Sequence, residues 1–131
     1  MPKVVHFSLM AKDPERAIKF YSKVFGWKFE KWNDPSIMEY WMITTGNKRE
    51  PGINGGMSVN KKLKPAKDKN TANFDSTIAV SDIDKYAKLV KEAGGKILMK
   101  KTAIPRVGWM ATVQDTEGNM VGMMQNDKKA K

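Results

Sequence analysis

One histidine, His6, and no cysteine make up this chain's stock of side chains that ordinarily titrate or react near neutral pH. An imidazole can pass protons to and from a ligand, so His6 is the one candidate for acid–base work, although the residue order places no carboxylate beside it. A lone histidine on a strand is also commonly a hydrogen-bonded packing residue, and both readings stand. The lack of cysteine excludes thiolate nucleophiles, thiolate metal sites and disulfides together, which agrees with a reducing compartment. Serine chemistry has no Gly-x-Ser-x-Gly elbow. The cluster Gly52 to Gly56 is no phosphate loop, because it lacks a Gly-Lys-Ser/Thr ending and opens no helix. Three larger side chains could line a ligand site. Trp41 and Trp109 could form an aromatic wall or, as strand tryptophans more often do, belong to the core. Arg106, in the segment Ala103 to Gly108, could meet an anion or project from an exposed loop.

The elements that must position these residues are legible around His6. Val5, Phe7 and Leu9 alternate with Val4, His6, Ser8 and Met10, the period of a half-buried strand, which sets His6 on the face away from the apolar one. Asp13 is a good N-cap, Pro14 occupies the first helical position, and Glu15 suits the positive helix start. Ala17, Phe20, Tyr21 and Val24 form one apolar stripe, and Gly26 supplies the left-handed stop. Strands are predicted at Lys28 to Trp32, Met38 to Thr45 and Met57 to Val59, with a turn at Asn33 to Ser36. The polar stretch Asn60 to Asn73 reads as a mobile linker. A second series follows: a strand at Thr77 to Ser81, a helix capped by Ser81 or Asp82 and carrying Ile83, Tyr86, Ala87, Val90 and Ala93, then Gly94-Gly95. Strands at Ile97 to Met99, Trp109 to Val113 and Met120 to Gln125 complete it, the last two joined by a tight turn at Asp115 to Asn119.

Both halves therefore read β-α-β-β-β, and they can be overlaid. Trp41-Met42-Ile43-Thr44 answers Trp109-Met110-Ala111-Thr112, and Gly56-Met57 answers Gly122-Met123. His6 to Trp41 spans 35 positions and Thr77 to Trp109 spans 32, while Trp41 to Gly56 spans 15 and Trp109 to Gly122 spans 13. Such small differences, falling in loops, are what an internal duplication leaves.

At 131 residues and 40% apolar content the chain can fill the core of one domain. The net charge of +10 is nearly all lysine, with three arginines, Arg16, Arg49 and Arg106. It concentrates at Lys61 to Lys69, Lys96 to Lys101 and Lys128 to Lys131. These runs lack interleaved aromatics, and lysine is poor at bidentate phosphate clamping, so solvated faces and a frayed tail are expected rather than a nucleic-acid surface. No membrane-length apolar run and no signal-peptide core are present, which points to a cytoplasmic protein.

The His-Phe of the first strand, the helix DPERAIKFYSKVFGW, the Ala-Gly-Gly-Lys after the second helix and the Asp-Thr-Glu-Gly-Asn turn together resemble the glyoxalase, bleomycin-resistance and extradiol-dioxygenase proteins, the vicinal oxygen chelate superfamily. The resemblance spans nearly the whole chain. It implies an α+β fold of two tandem βαβββ modules, at about 1–59 and 74–126, joined by the linker 60–73 in a single domain with a basic tail at 127–131. It further implies that their curved mixed sheets enclose a cleft, often in a homodimer, and that the cleft often holds a divalent metal. The metal-ligand positions fall on His6, Gly56, Thr77 and Gly122. One plausible ligand in four does not hold a catalytic ion, which normally needs about three side chains. The expectation is a cleft lined by His6, Thr77, Trp41, Trp109, Arg106, Met120, Gly122 and Met124, with open space at Gly122 where an acid would otherwise sit. It would bind a small organic molecule with no cofactor; His6 alone could serve as acid, base or residual metal ligand. The alternatives are a metal-dependent isomerase or lyase of the lactoylglutathione-lyase kind, with ligands supplied from elsewhere, and, more weakly, a basic module for polyanions.

Overall fold

The computed structural model describes residues 4, 6–33, 39–62 and 76–131. Val5, the Asp34 to Ser36 part of the predicted turn, Met38, and linker positions 63–73 lie outside the described residues. The chain divides between residues 64 and 65 into two compact units.

In the first unit, β1 (Phe7–Ala11) leads into α1 (Pro14–Phe25), followed by β2 (Lys28–Lys31), β3 (Tyr40–Thr44) and β4 (Gly55–Val59). The sheet order is β1-β4-β3-β2, with β1 parallel to β4 and the other neighbours antiparallel. The helix begins and ends as its sequence requires: the Asp13 carboxylate accepts from the Arg16 N–H at 3.1 Å, and Gly26 at φ 71° turns its N–H back to the Ser22 carbonyl at 3.0 Å. Its predicted stripe of Ala17, Phe20, Tyr21 and Val24 is buried. Ala17 joins Ala11, Ile43 and Met57 in a core that Phe7, Leu9, Phe29, Trp27 and Trp41 pack against. Tyr21 stacks on Trp27 with centroids 4.9 Å apart and planes 5° from parallel, which ties the helix to the chain leaving it.

The second unit repeats the plan with β5 (Ser76–Ala79), α2 (Ile83–Glu92), β6 (Lys96–Ile104), β7 (Gly108–Gln114) and β8 (Met120–Asn126), in the order β5-β8-β7-β6. Of the two candidate caps Asp82 is the one used, accepting from the Asp84 and Lys85 N–H groups at 3.1 and 3.2 Å. Helix α2 packs on β6, β7 and β8, and the unit buries Ile83, Val90, Ala111, Val113, Val121 and Met123. Fully burying the valine, isoleucine and methionine side chains among these stabilises by about 1.5–3 kcal/mol each.

Three features depart from the sequence reading. Strand β6 runs through the lysines to Ile104, with register shifts between Ile97 and Met99 and between Met99 and Thr102. Bulges and lysines on an edge strand guard it against pairing with other chains. The basic tail is not frayed: the Asp127 N–H bonds the Val107 carbonyl at 3.0 Å, the Arg106 N–H bonds that of Ala130 at 3.1 Å, and Ala130 is buried. The Asp115–Asn119 turn carries two buried acids, Asp115 and Glu117. The Asp115 carboxylate accepts from the Glu117 N–H, the Asn119 N–H and the Asn119 side-chain amide, each at 2.8 Å, so its charge is met by aligned donors. No helix among the described residues is long and apolar enough to cross a membrane.

Candidate functional site

Strand parity sorts each sheet into a helix-bearing face and a helix-free one. In the first unit Phe7, Leu9, Ile43 and Met57 share the core with α1, so Ser8, Met10, Tyr40, Met42, Gly56 and Ser58 present the other face. His6, one step before β1, belongs with them. Its Nε2 lies 3.2 Å from the Tyr40 hydroxyl. Tyr40 stands opposite Ser58, one row along from the Met42–Gly56 pair, and Gly56 is also paired to Ser8 of β1. The Tyr40 side chain therefore runs obliquely over β4 toward the first strand. A Cβ at Gly56 would overlap the Tyr40 hydroxyl and ring. The sequence reading places Tyr40 only as a position within the predicted strand Met38 to Thr45. The signal that could have marked it is the glycine in the neighbouring strand, which makes room for a large ring.

In the second unit Thr77 pairs with Gly122, which pairs on its other side with Thr112, and Met110 pairs with Met124. Met120, Gly122 and Met124 lie on the helix-free face, opposite in parity to the buried Val121 and Met123. The space at Gly122 is not open. The glycine is itself buried, and an added Cβ would come within 3.0 Å of the Thr77 hydroxyl and 3.5 Å of the Met110 methyl.

The registers also correct the overlay of the two halves. Thr77 faces Gly122 directly, but Gly56 faces Ser8, and continuing that register sets His6 beside Asn54. With His6 matched to Thr77 and Trp41 to Trp109, the counterpart of Gly122 is Asn54, two residues before Gly56. Because the slip is even, it leaves every residue on its assigned face.

Trp41 and Trp109 lie on the helix side of their sheets and do not share the face with His6 or Thr77. Trp41 packs against the core cluster, and its indole N–H donates to Glu39 at 2.9 Å. Trp109 shares parity with buried Ala111 and Val113; its indole N–H donates to Asp127 at 3.0 Å, and the Lys101 ammonium sits 4.6 Å from its ring centroid. Lys101 also pairs with Asp84 at 3.0 Å. The Lys129 backbone N–H, then the Trp109 indole, hold the Asp127 carboxyl below its ordinary range against an opposing effect of desolvation, with a lesser contribution from the Lys129 and Lys101 charges. Arg106 has φ 65° and is the left-handed residue of the β6–β7 turn, its backbone bonded to the tail and its side chain exposed. A turn role accounts for it without a ligand.

A divalent metal is poorly matched by the donors at the four equivalent positions, His6, Asn54, Thr77 and Gly122. Glycine offers no side chain, threonine a neutral hydroxyl, and the Asn54 amide oxygen already accepts the Thr45 N–H at 2.9 Å. Among the described residues no three of His, Cys, Asp and Glu gather closely enough to hold a metal ion.

The sequence model of the Glyoxalase/Bleomycin resistance protein/Dioxygenase superfamily matches residues 3–123. A Vibrio parahaemolyticus protein named probable lactoylglutathione lyase is 30% identical over 128 residues, covering 95% of this chain and 91% of that protein. Among solved structures, a glyoxylase/bleomycin resistance protein/dioxygenase domain from Frankia sp. EAN1pec superposes with a TM-score of 0.74 at 14% identity, covering 97% and 99% of the two chains. Leishmania major glyoxalase I, a trypanothione-dependent enzyme, gives 0.70 at 20% identity, covering 95% and 87%. Maize glyoxalase I gives 0.74 at 24% identity, covering 95% of this chain and 44% of the longer one. At these identities the solved structures bear on the fold.

Proposed function

The chain belongs to the glyoxalase/bleomycin resistance protein/dioxygenase superfamily, and from that premise we propose that it binds a small organic molecule on a helix-free sheet face, without a resident divalent metal. The observation that carries this reading is the direct pairing of Thr77 with Gly122, where a hydroxyl and a bare backbone stand at two of the four ligand positions. The face of the first unit suits a guest with an apolar body and a polar acceptor, since Met42 supplies adaptable apolar surface and the His6–Tyr40 pair a polar anchor; on the face of the second unit Met110 and Met124 supply apolar surface of the same kind. Sequestration is chemistry that such a surface can perform unaided. An imidazole is also a general acid–base group, which makes His6 the residue of that face to test for proton transfer.

A second reading is favoured by the relative named as a probable lactoylglutathione lyase: a metal-dependent isomerase or lyase whose remaining ligands come from a partner subunit in a dimer. Calorimetric titration of the metal-stripped protein with nickel, cobalt, zinc and manganese, beside His6→Ala, separates the two. The expected result is no stoichiometric binding by either protein. Micromolar binding that disappears in His6→Ala would overturn the metal-free reading and put the lyase first.

A further inference from the structure

The placement of Tyr40 calls for its own account. A phenol that only filled space on a sheet would not need a neighbouring strand to surrender its side chain. Here Gly56 does so: any Cβ would meet the ring and the hydroxyl. The hydroxyl so placed meets Nε2 of His6 at 3.2 Å. When Nε2–H is the donor in that contact, the phenol's own proton is free to point to a ligand, and the imidazole behind it strengthens it as a donor. A guest with an acceptor oxygen selects that arrangement over the reverse one. The same face carries Ser8, Met42 and Ser58 around Gly56, and the charges that share its parity, Lys28 and Glu30, lie on the edge strand β2 and are of opposite sign, so the positions around the Tyr40 hydroxyl are themselves neutral.

We propose that Tyr40 is the ligand-binding hydroxyl of this face, donating to a carbonyl or carboxylate oxygen of the bound molecule, with His6 as its positioning residue and Gly56 as the notch that admits it. Position 56 is then a built feature and not a metal-ligand position that has lost its side chain. This inference rests on the small-molecule reading above and gives it a ligand class.

The single histidine makes the test direct, because its ring nitrogens give one set of signals in ¹⁵N-edited NMR. Acetophenone serves as the ketone probe and benzoate as the carboxylate probe, with wild type, Tyr40→Phe and Gly56→Ala compared and the methionine methyls followed as reporters. Without any probe, Tyr40→Phe is expected to move the His6 ring signals while leaving the fold intact, since the ring volume is kept. At least one probe is expected to shift the His6 and Met42 signals of the wild type. Its affinity should fall about tenfold in Tyr40→Phe, the scale of one hydrogen bond, and fall likewise in Gly56→Ala, where the hydroxyl is retained but displaced. Which probe binds distinguishes carbonyl from carboxylate. Binding to this face with unchanged affinity in Tyr40→Phe, or His6 signals indifferent to that substitution, would overturn the role of Tyr40 and leave the small-molecule reading standing. Failure of both probes to shift any signal of the helix-free faces would overturn that reading and this inference with it.

Discussion

Replacing Asp115 with alanine should be among the most destabilising single changes in this chain, though it lies in a surface turn. The side chain is only 4% exposed and its two oxygens accept three hydrogen bonds, from the backbone of Glu117 and from the backbone and side chain of Asn119. Hydrogen bonds to a charged group contribute about 1.5–3 kcal/mol each, and three that share one carboxylate do not add in full. Removing the acceptor leaves the donors facing one another without a partner, so a loss of about 3–5 kcal/mol follows, a large part of the ~5–15 kcal/mol that holds a domain together. Asp115→Asn keeps one acceptor oxygen but turns an amide N–H toward the Asn119 amide, and should lose about half as much. Urea unfolding followed by tryptophan fluorescence gives both numbers. A loss below about 1 kcal/mol for Asp115→Ala would refute the reasoning, since it would mean that water replaces the carboxylate at no cost.

The tail offers a pH test. Asp127 is held below its ordinary carboxyl range when folded, so its stabilising contribution is full above the unfolded-state value and is lost as pH falls through the lower folded one. Hydrogen exchange at the Arg106 and Lys129 amides should accelerate across that acidic window in the wild type, while Asp127→Asn shows fast exchange at every pH; equal protection in both proteins would sink the idea. Two glycines separate backbone from side-chain crowding. A Cβ at Gly55 would meet the Phe7 carbonyl oxygen at 2.5 Å and its ring at 2.7 Å, whereas one at Gly122 meets the Thr77 hydroxyl at 3.0 Å. Gly55→Ala should therefore lose well over 1 kcal/mol, and Gly122→Ala should stay within about 1 kcal/mol of wild type because alanine's lower entropy cost in a strand offsets the contact. Thermal unfolding of the two variants measures the difference, and the reverse order would refute it.

What could be read from the residues alone was whatever is written locally. Asp13-Pro14, the Ala17–Val24 stripe and Gly26 lie within a few turns of one another, and α1 matches them. Period-2 alternation put His6 and Gly122 on their faces for the same reason. The lysine run at Lys100 and Lys101 gave no apolar alternation, so the extension of β6 depends on pairing with β7. The tail is docked by the buried Ala130, by backbone hydrogen bonds to the β6–β7 turn and by the Trp109 indole on Asp127, contacts between distant positions that leave no periodic pattern in the sequence. Alternation could not say which face of a strand a tryptophan would take, and packing decided it for Trp41. Tyr40 was missed because its partner lies 34 positions away and its space is made by a third strand. The two-residue slip between Gly56 and Gly122 came from matching glycines by type, where the register matches Asn54 instead.

The parallel pairings have a consequence for how each sheet assembles. Within each sheet the parallel strand lies at one end of the order, β1 beside β4 and β5 beside β8, and each is reached by closing a long loop through a helix. The antiparallel meanders β2-β3-β4 and β6-β7-β8 need only short closures and assemble sooner, since loop-closure entropy grows with separation. His6 immediately precedes β1 and Thr77 lies on β5, so a guest held by Tyr40 with His6 behind it would act as a clasp between β1 and β3.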